Sequence, residues 1–189
     1  MALPRWQIGG MAIIFLVLAI PLANWALVDL PVQSALSSDE RNSSISIHAY
    51  HRLGMIPGSI VVDLWNVEGN ASMADVTRAL FTTADALKDR NYERVYLAFR
   101  GEHRFFVSGQ YFHGLGSTYA YENPVYLMRT LPENVYRLDG HQAYGSWTGG
   151  MLGVLGRQME DLNQFHREWY LEDLLSASLP VRDTSARSV

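Results

Sequence analysis

The chain contains no cysteine, which excludes disulfide bridges, thiolate zinc sites, thiol nucleophiles and lipidation at a lipobox cysteine. Charge is sparse as well: 18% of residues are charged and the 15 Lys and Arg are scattered through a chain of net charge −4. No basic stripe of the kind a phosphate backbone requires can form from that distribution, so nucleic acid is excluded as an expected partner. Signature motifs are missing too. There is no glycine-rich phosphate loop ending in Lys-Ser/Thr, no dinucleotide fingerprint after a strand and no metalloprotease helix motif. Gly145-Ser146-Trp147-Thr148-Gly149 has the outline of a nucleophile elbow but carries Trp147 where the serine belongs. No cofactor is expected from this inventory.

What is present begins with a hydrophobic run. Ile8 to Val28 carries no charge and is bounded by Arg5 and Asp29, a length that crosses a hydrocarbon core of about 30 Å as a helix. Small residues do not stand three apart in the pattern signal peptidase needs, because Ala23 has Pro21 behind it and Ala26 has Asn24 behind it. Trp6 and Trp25 sit where interfacial aromatics belong, and Arg5 precedes the span while Asp29, Asp39 and Glu40 follow it. The expectation is an uncleaved transmembrane anchor over residues 8–30. A short cytoplasmic N-terminus over 1–7 would precede it, with the rest of the chain extracytoplasmic, periplasmic if the host is bacterial.

Residues 31–44 are polar, Ser-rich and aperiodic, which predicts a flexible tether, and residues 176–189 read as a disordered tail. Between them, residues 45–175 have the size of one domain. Ile45 to Arg52 and Ser59 to Val67 are expected strands. A helix starts at Ser72, where Ser72 and Asp75 have capping-box spacing and Met73, Val76, Leu80, Ala84 and Leu87 recur at helical intervals. Glu93 to Phe99 and Arg104 to Phe112 form a hairpin around Arg100-Gly101-Glu102-His103. Leu152 to Leu175 is a long amphipathic helix with Leu155, Met159, Leu162, His166 and Trp169 on one stripe. The predicted class is α+β: a transmembrane helix, then a small mixed or antiparallel sheet of three to four strands against two helices. Gly114 to Ser146 has no clear period. The glycines Gly145, Gly149, Gly150, Gly153 and Gly156 read as close packing against the sheet or a flexible entry into the last helix.

Chemistry-bearing residues are few. His48 and His51 are three apart, a metal-binding spacing on a helix, but on a strand they point to opposite faces. His141 beside Asp139 is an acid/base candidate, with Glu122 a third member if the fold brings it near; a surface turn explains Asp139-Gly140-His141 equally. The tyrosines Tyr119, Tyr121 and Tyr126 suit a contact surface, since aromatic side chains give large area at low entropy cost. These features favour a non-enzymatic, membrane-anchored accessory protein held by residues 8–30 and binding a protein partner in the envelope. The alternatives are an extracytoplasmic hydrolase built from residues distant in sequence, and a lipid or small-ligand binding domain.

Overall fold

The computed structural model describes residues 19–54 and 56–178. Its five strands are β1 Ile45–Arg52, β2 Ile56–Val67, β3 Arg94–Phe99, β4 Glu102–Ser108 and β5 Val135–Arg137, and they lie in one sheet in that order. The helices are α1 Leu30–Ser37, α2 Met73–Ala86, α3 Gly109–Thr118, α4 Pro124–Thr130, α5 Met151–His166 and α6 Glu172–Ser178. Only β2 and β3 pair in parallel, because α2 carries the chain back between them; the other pairs are antiparallel. The class is therefore α+β with a mixed five-stranded sheet.

Strand alternation sets the layers. Ile60, Val62 and Leu64 of β2 and Val95, Leu97 and Phe99 of β3 point to one side, where they join Val76, Leu80 and Ala84 of α2 and Phe165 and Trp169 from the C-terminal helical stretch in one buried cluster. That side is filled by side chains. Among the described residues, the opposite side of the sheet holds a small buried cluster, Val61, Tyr96, Ala98 and Phe106, and no helical residue belongs to it.

Local chemistry explains the element ends. The capping box forms as the spacing implied, with Ser72 Oγ accepting from the Asp75 amide and the Asp75 carboxylate accepting from the Ser72 amide at 2.8 Å. Arg100 and Gly101 make the two-residue β3–β4 turn at φ 50° and 83°. Gly116 is where α3 meets α2, since any Cβ there would overlap the Ala84 carbonyl.

Several expectations need correction. β4 ends at Ser108, whose hydroxyl caps α3, so residues 109–112 are helix and not strand. The aperiodic Gly114–Ser146 stretch holds the rest of α3, then α4 and β5; these elements are short, which blurs their periods. Two helices were too few and four strands one short. The last helix is broken into α5, a π-helical turn Arg167–Leu171 and α6, and its described end reaches Ser178, beyond the start of the expected tail. The glycine series does not pack against the sheet: a Cβ at Gly149, Gly150, Gly153 or Gly156 would meet nothing within 4 Å.

The stretch expected to be a tether is largely helical. Helix over residues 19–24 runs through a π-helical turn, Trp25–Asp29, into α1, and a 3₁₀ turn follows at Glu40–Asn42. Val28, Val32 and Leu36, four residues apart, are buried in the main core, an apolar stripe that the polar composition around it concealed. Residues 8–18 of the expected anchor lie outside the described residues. Among those described, no helix is long and apolar enough to cross a membrane.

Candidate functional site

β1 is an edge strand, and an unpaired edge exposes a row of backbone donors and acceptors. Here the N-terminal helix supplies their partners from side chains. Gln33 Nε2 donates to the Ile47 carbonyl at 2.6 Å, the Ala49 amide donates to Asp29 Oδ1 at 3.0 Å, and the His51 amide donates to Asn24 Oδ1 at 2.8 Å. The periods match. Alternate strand residues are about 6.6–6.8 Å apart, and four residues of α-helix rise about 6 Å. The five-residue step from Asn24 to Asp29 stays on the same face because the wide turn lies between them, with the Leu30 amide donating to the Trp25 carbonyl. Asp29→Ala is expected to cost about 1–3 kcal/mol. It should raise hydrogen exchange at the Ala49 amide roughly tenfold or more, while His51, held by Asn24, changes less; equal protection of Ala49 in the variant would contradict the ladder.

Beyond this edge, the helix and the open sheet face enclose a mostly apolar cleft of about 630 Å³, with Ile20, Pro21 and Trp25 on the helix side and Tyr50 and Trp65 on the sheet side. Two polar pairs lie in it. His48 Nδ1 is 3.2 Å from Asp29 Oδ2, and Tyr50 donates to the buried Asp63 carboxylate at 3.0 Å. Asp63 also accepts from the Gly101 amide at 3.0 Å, so the acid ties the β3–β4 turn to β1. Burial, reinforced by the Asp63 charge, pushes the Tyr50 phenol well above its ordinary range.

The rest of the open face is roofed by its own long side chains. Arg52 lies over the Tyr96 ring at 4.7 Å and Arg94 over Phe106 at 4.9 Å. His103 stacks on Tyr96 at 5.1 Å and Tyr136 on Phe106 at 5.4 Å. Burial, with Arg52 nearby, lowers the His103 pKa, so the imidazole is neutral at physiological pH. Neither Arg52 nor Arg94 has a carboxylate partner among the described residues.

Comparison with protein-family models, with curated proteins and with solved structures found no match. The geometry alone therefore bears on function. His48 has an orienting carboxylate, as a general base needs, but its ring bonds only to Asp29 and Gln33 and to no hydroxyl. His51 faces the other way, edge-on to Tyr92 at 6.4 Å. No group of three or more acidic or histidine side chains suited to a metal occurs among the described residues. The His141 amide donates to Asp139 Oδ1 at 3.0 Å in an exposed turn after β5. Glu122 is exposed in the turn between α3 and α4, and no hydrogen bond or ion pair joins it to either residue. None of the three lines the cleft beside β1.

The tyrosines divide. Tyr119 packs edge-on against Phe81 at 5.6 Å, whereas Tyr121 in the α3–α4 turn and Tyr126 in α4 are exposed. A larger apolar surface, which the sequence did not reveal, lies at the start of α5. The first two turns of α5 stand clear of the domain, with Met151 80% and Leu152 81% exposed and Leu155 and Met159 partly so. Trp147 closes its edge, donating to Asp161 at 2.6 Å beneath the Arg157 guanidinium. The signal that could have found it is the stripe itself: its upper half, Leu155 and Met159, stays 36% and 40% exposed among the described residues, while its lower half, Leu162, His166 and Trp169, is buried.

Proposed function

We propose that this chain is a membrane-anchored interaction protein of a cell envelope. One N-terminal helix holds it in the bilayer, the α+β domain faces the extracytoplasmic side, and a protein partner docks on the apolar surface formed by α4 and the first turns of α5. The observation that carries the docking surface is the exposure of Met151 and Leu152, 80% and 81%; α4, which also exposes Val125 and Tyr126, reaches α5 through the Arg129 bond to Gln158. A water-soluble surface has no reason to keep side chains of that size contiguous and bare unless something covers them. Gly153 and Gly156, with open space around them, let a partner's side chains reach the helix backbone. The docking residues differ from the tyrosine set: Tyr121 and Tyr126 stay, while Tyr119 is partly buried against the core.

The anchor is supported by the charge-free run and by where it meets the domain. Because Asn24 and Asp29 bond β1 and Val28 is in the core, a span must end before Asn24. As a helix, residues 6–22 would measure about 25 Å, at the short end of what crosses a bilayer.

The docking surface is tested by the double substitution Met151→Glu with Leu152→Glu. Both positions are exposed, so domain stability is expected to change by less than about 1 kcal/mol. In a mild-detergent extract, the wild-type chain is expected to migrate in a larger assembly and the variant alone. A variant that keeps an assembly of unchanged size would remove α5 from the interface.

A further inference from the structure

The β1–β2 hairpin places a leucine where a turn selects against one. Leu53 has φ 53° and Gly54 φ 76°. That left-handed region is strained for a residue with a branched apolar side chain, whereas Asn, Asp or Gly enters it readily. The Leu53 side chain is 76% exposed, and Ile56 beyond the turn is 37% exposed. The β3–β4 turn has the same backbone form at Arg100 and Gly101, but there the strained residue is a cation whose guanidinium donates to the Trp65 carbonyl at 3.3 Å. Among the described residues, strain and bare apolar surface coincide only at the β1–β2 tip.

The tip's position says what could cover it. Along the edge of β1, Gln33 bonds Ile47, Asp29 bonds Ala49 and Asn24 bonds His51, so each earlier helix residue lies nearer the turn. Asn24 also donates to the Gly54 carbonyl at 2.5 Å, and a Cβ on Gly54 would lie 3.8 Å from Ile20. The hairpin is thus clamped beside residues 20–24, at the end of the domain where the charge-free run enters it. Arg52, next to Leu53, and Arg94, which opens β3 opposite Ser59 near the same end, lack carboxylate partners among the described residues. Cations at that height match anionic headgroups.

We propose that the β1–β2 tip is a membrane wedge, with Leu53 and Ile56 entering the interface of the bilayer that holds the apolar run and Arg52 at the headgroups. This rests on the anchored reading above. It gives the domain a second attachment, so that it stands in fixed orientation on the membrane and turns α5 to a constant side.

The absence of native cysteine permits a direct test with the full-length chain. Single Leu53→Cys, Leu138→Cys and Ala12→Cys variants are labelled with an environment-sensitive fluorophore and reconstituted into vesicles of phosphatidylcholine and phosphatidylglycerol. Leu138 is the control, exposed beyond the far end of β5. Nitroxide-bearing lipids are expected to quench the label at 53 several-fold more than that at 138, with iodide in the buffer showing the reverse order. If the label at 12 is quenched by lipid while 53 behaves like 138, the wedge is wrong and the anchor stands. A label at 53 shielded from both quenchers would mean that protein, a second copy or a neighbour, covers the tip, which also overturns the wedge. Lack of lipid quenching at 12 as well would sink the anchor and the wedge together.

Discussion

Replacing Trp169 with alanine is expected to destabilise the domain by about 3–5 kcal/mol, the range for deleting a large buried aromatic. The indole is fully buried, packs against Phe165 at 5.3 Å and Tyr170 at 5.9 Å, and donates to the Ala98 carbonyl at 3.0 Å. It is therefore the bolt between the C-terminal helical stretch and the middle of the sheet. Alanine leaves a cavity and also strands a buried acceptor. Trp169→Phe keeps an aromatic ring but loses the bond and part of the volume, so an intermediate loss is expected. Urea unfolding of the full chain in detergent measures both; a loss below about 1 kcal/mol for the alanine variant would mean that this stretch is not integral to the core.

Acid should weaken the fold through His166. Thr77 Oγ1 donates to the Met73 carbonyl at 2.9 Å, so at 2.9 Å from His166 Nε2 it serves as acceptor, and the ring must carry its proton on Nε2. Nδ1 is then a bare acceptor, buried without a partner. A second proton would have to enter there, among Phe165, Trp169 and Tyr170, and burial lowers the pKa to about 3. Because the folded pKa lies below the unfolded value near 6.5, the unfolded chain binds the extra proton first as pH falls. The stability held by neutral His166 is full above about pH 6.5, declines by up to about 1.4 kcal/mol per pH unit below it, and is exhausted near pH 3. Across that window His166→Gln is expected to lose one proton's worth of slope in unfolding free energy against pH. An unchanged slope would assign the acid sensitivity elsewhere.

Elements whose signal is local were readable from the residues. The Ser72 capping box, the Arg100-Gly101 turn, the Ile- and Val-rich run of β2 and the alternation in β3 are local signals carried by near neighbours. What escaped depends on distance. The helix over residues 25–37 was hidden because its buried stripe is split between Val28, in the apolar run, and Val32 and Leu36, in the Ser-rich stretch, and because its polar face is spent on β1. Asn24 and Asp29 looked like flaws or boundaries in an apolar run; their use appears only once an edge strand lies beside them. Asp63 in Ile60-Val61-Val62-Asp63-Leu64 is a carboxylate inside a strand, and its burial and its bonds from Gly101 and Tyr50 depend on residues far away in the chain. The amphipathic stripe of the last helix was seen, but a stripe does not say which half the rest of the chain will cover. That half-covered stripe is now the main argument for a partner.

The claim on which the account turns is that the domain is held to a membrane and displayed on its outer side. Expression in a bacterial host, followed by mass measurement, alkali extraction and protease treatment of spheroplasts, tests it in one experiment. The account requires a full-length mass, a pellet that alkali does not release, and a domain that added protease degrades. A shortened chain released into the soluble fraction, or a pelleted chain whose domain is protected until the membrane is broken, would contradict it.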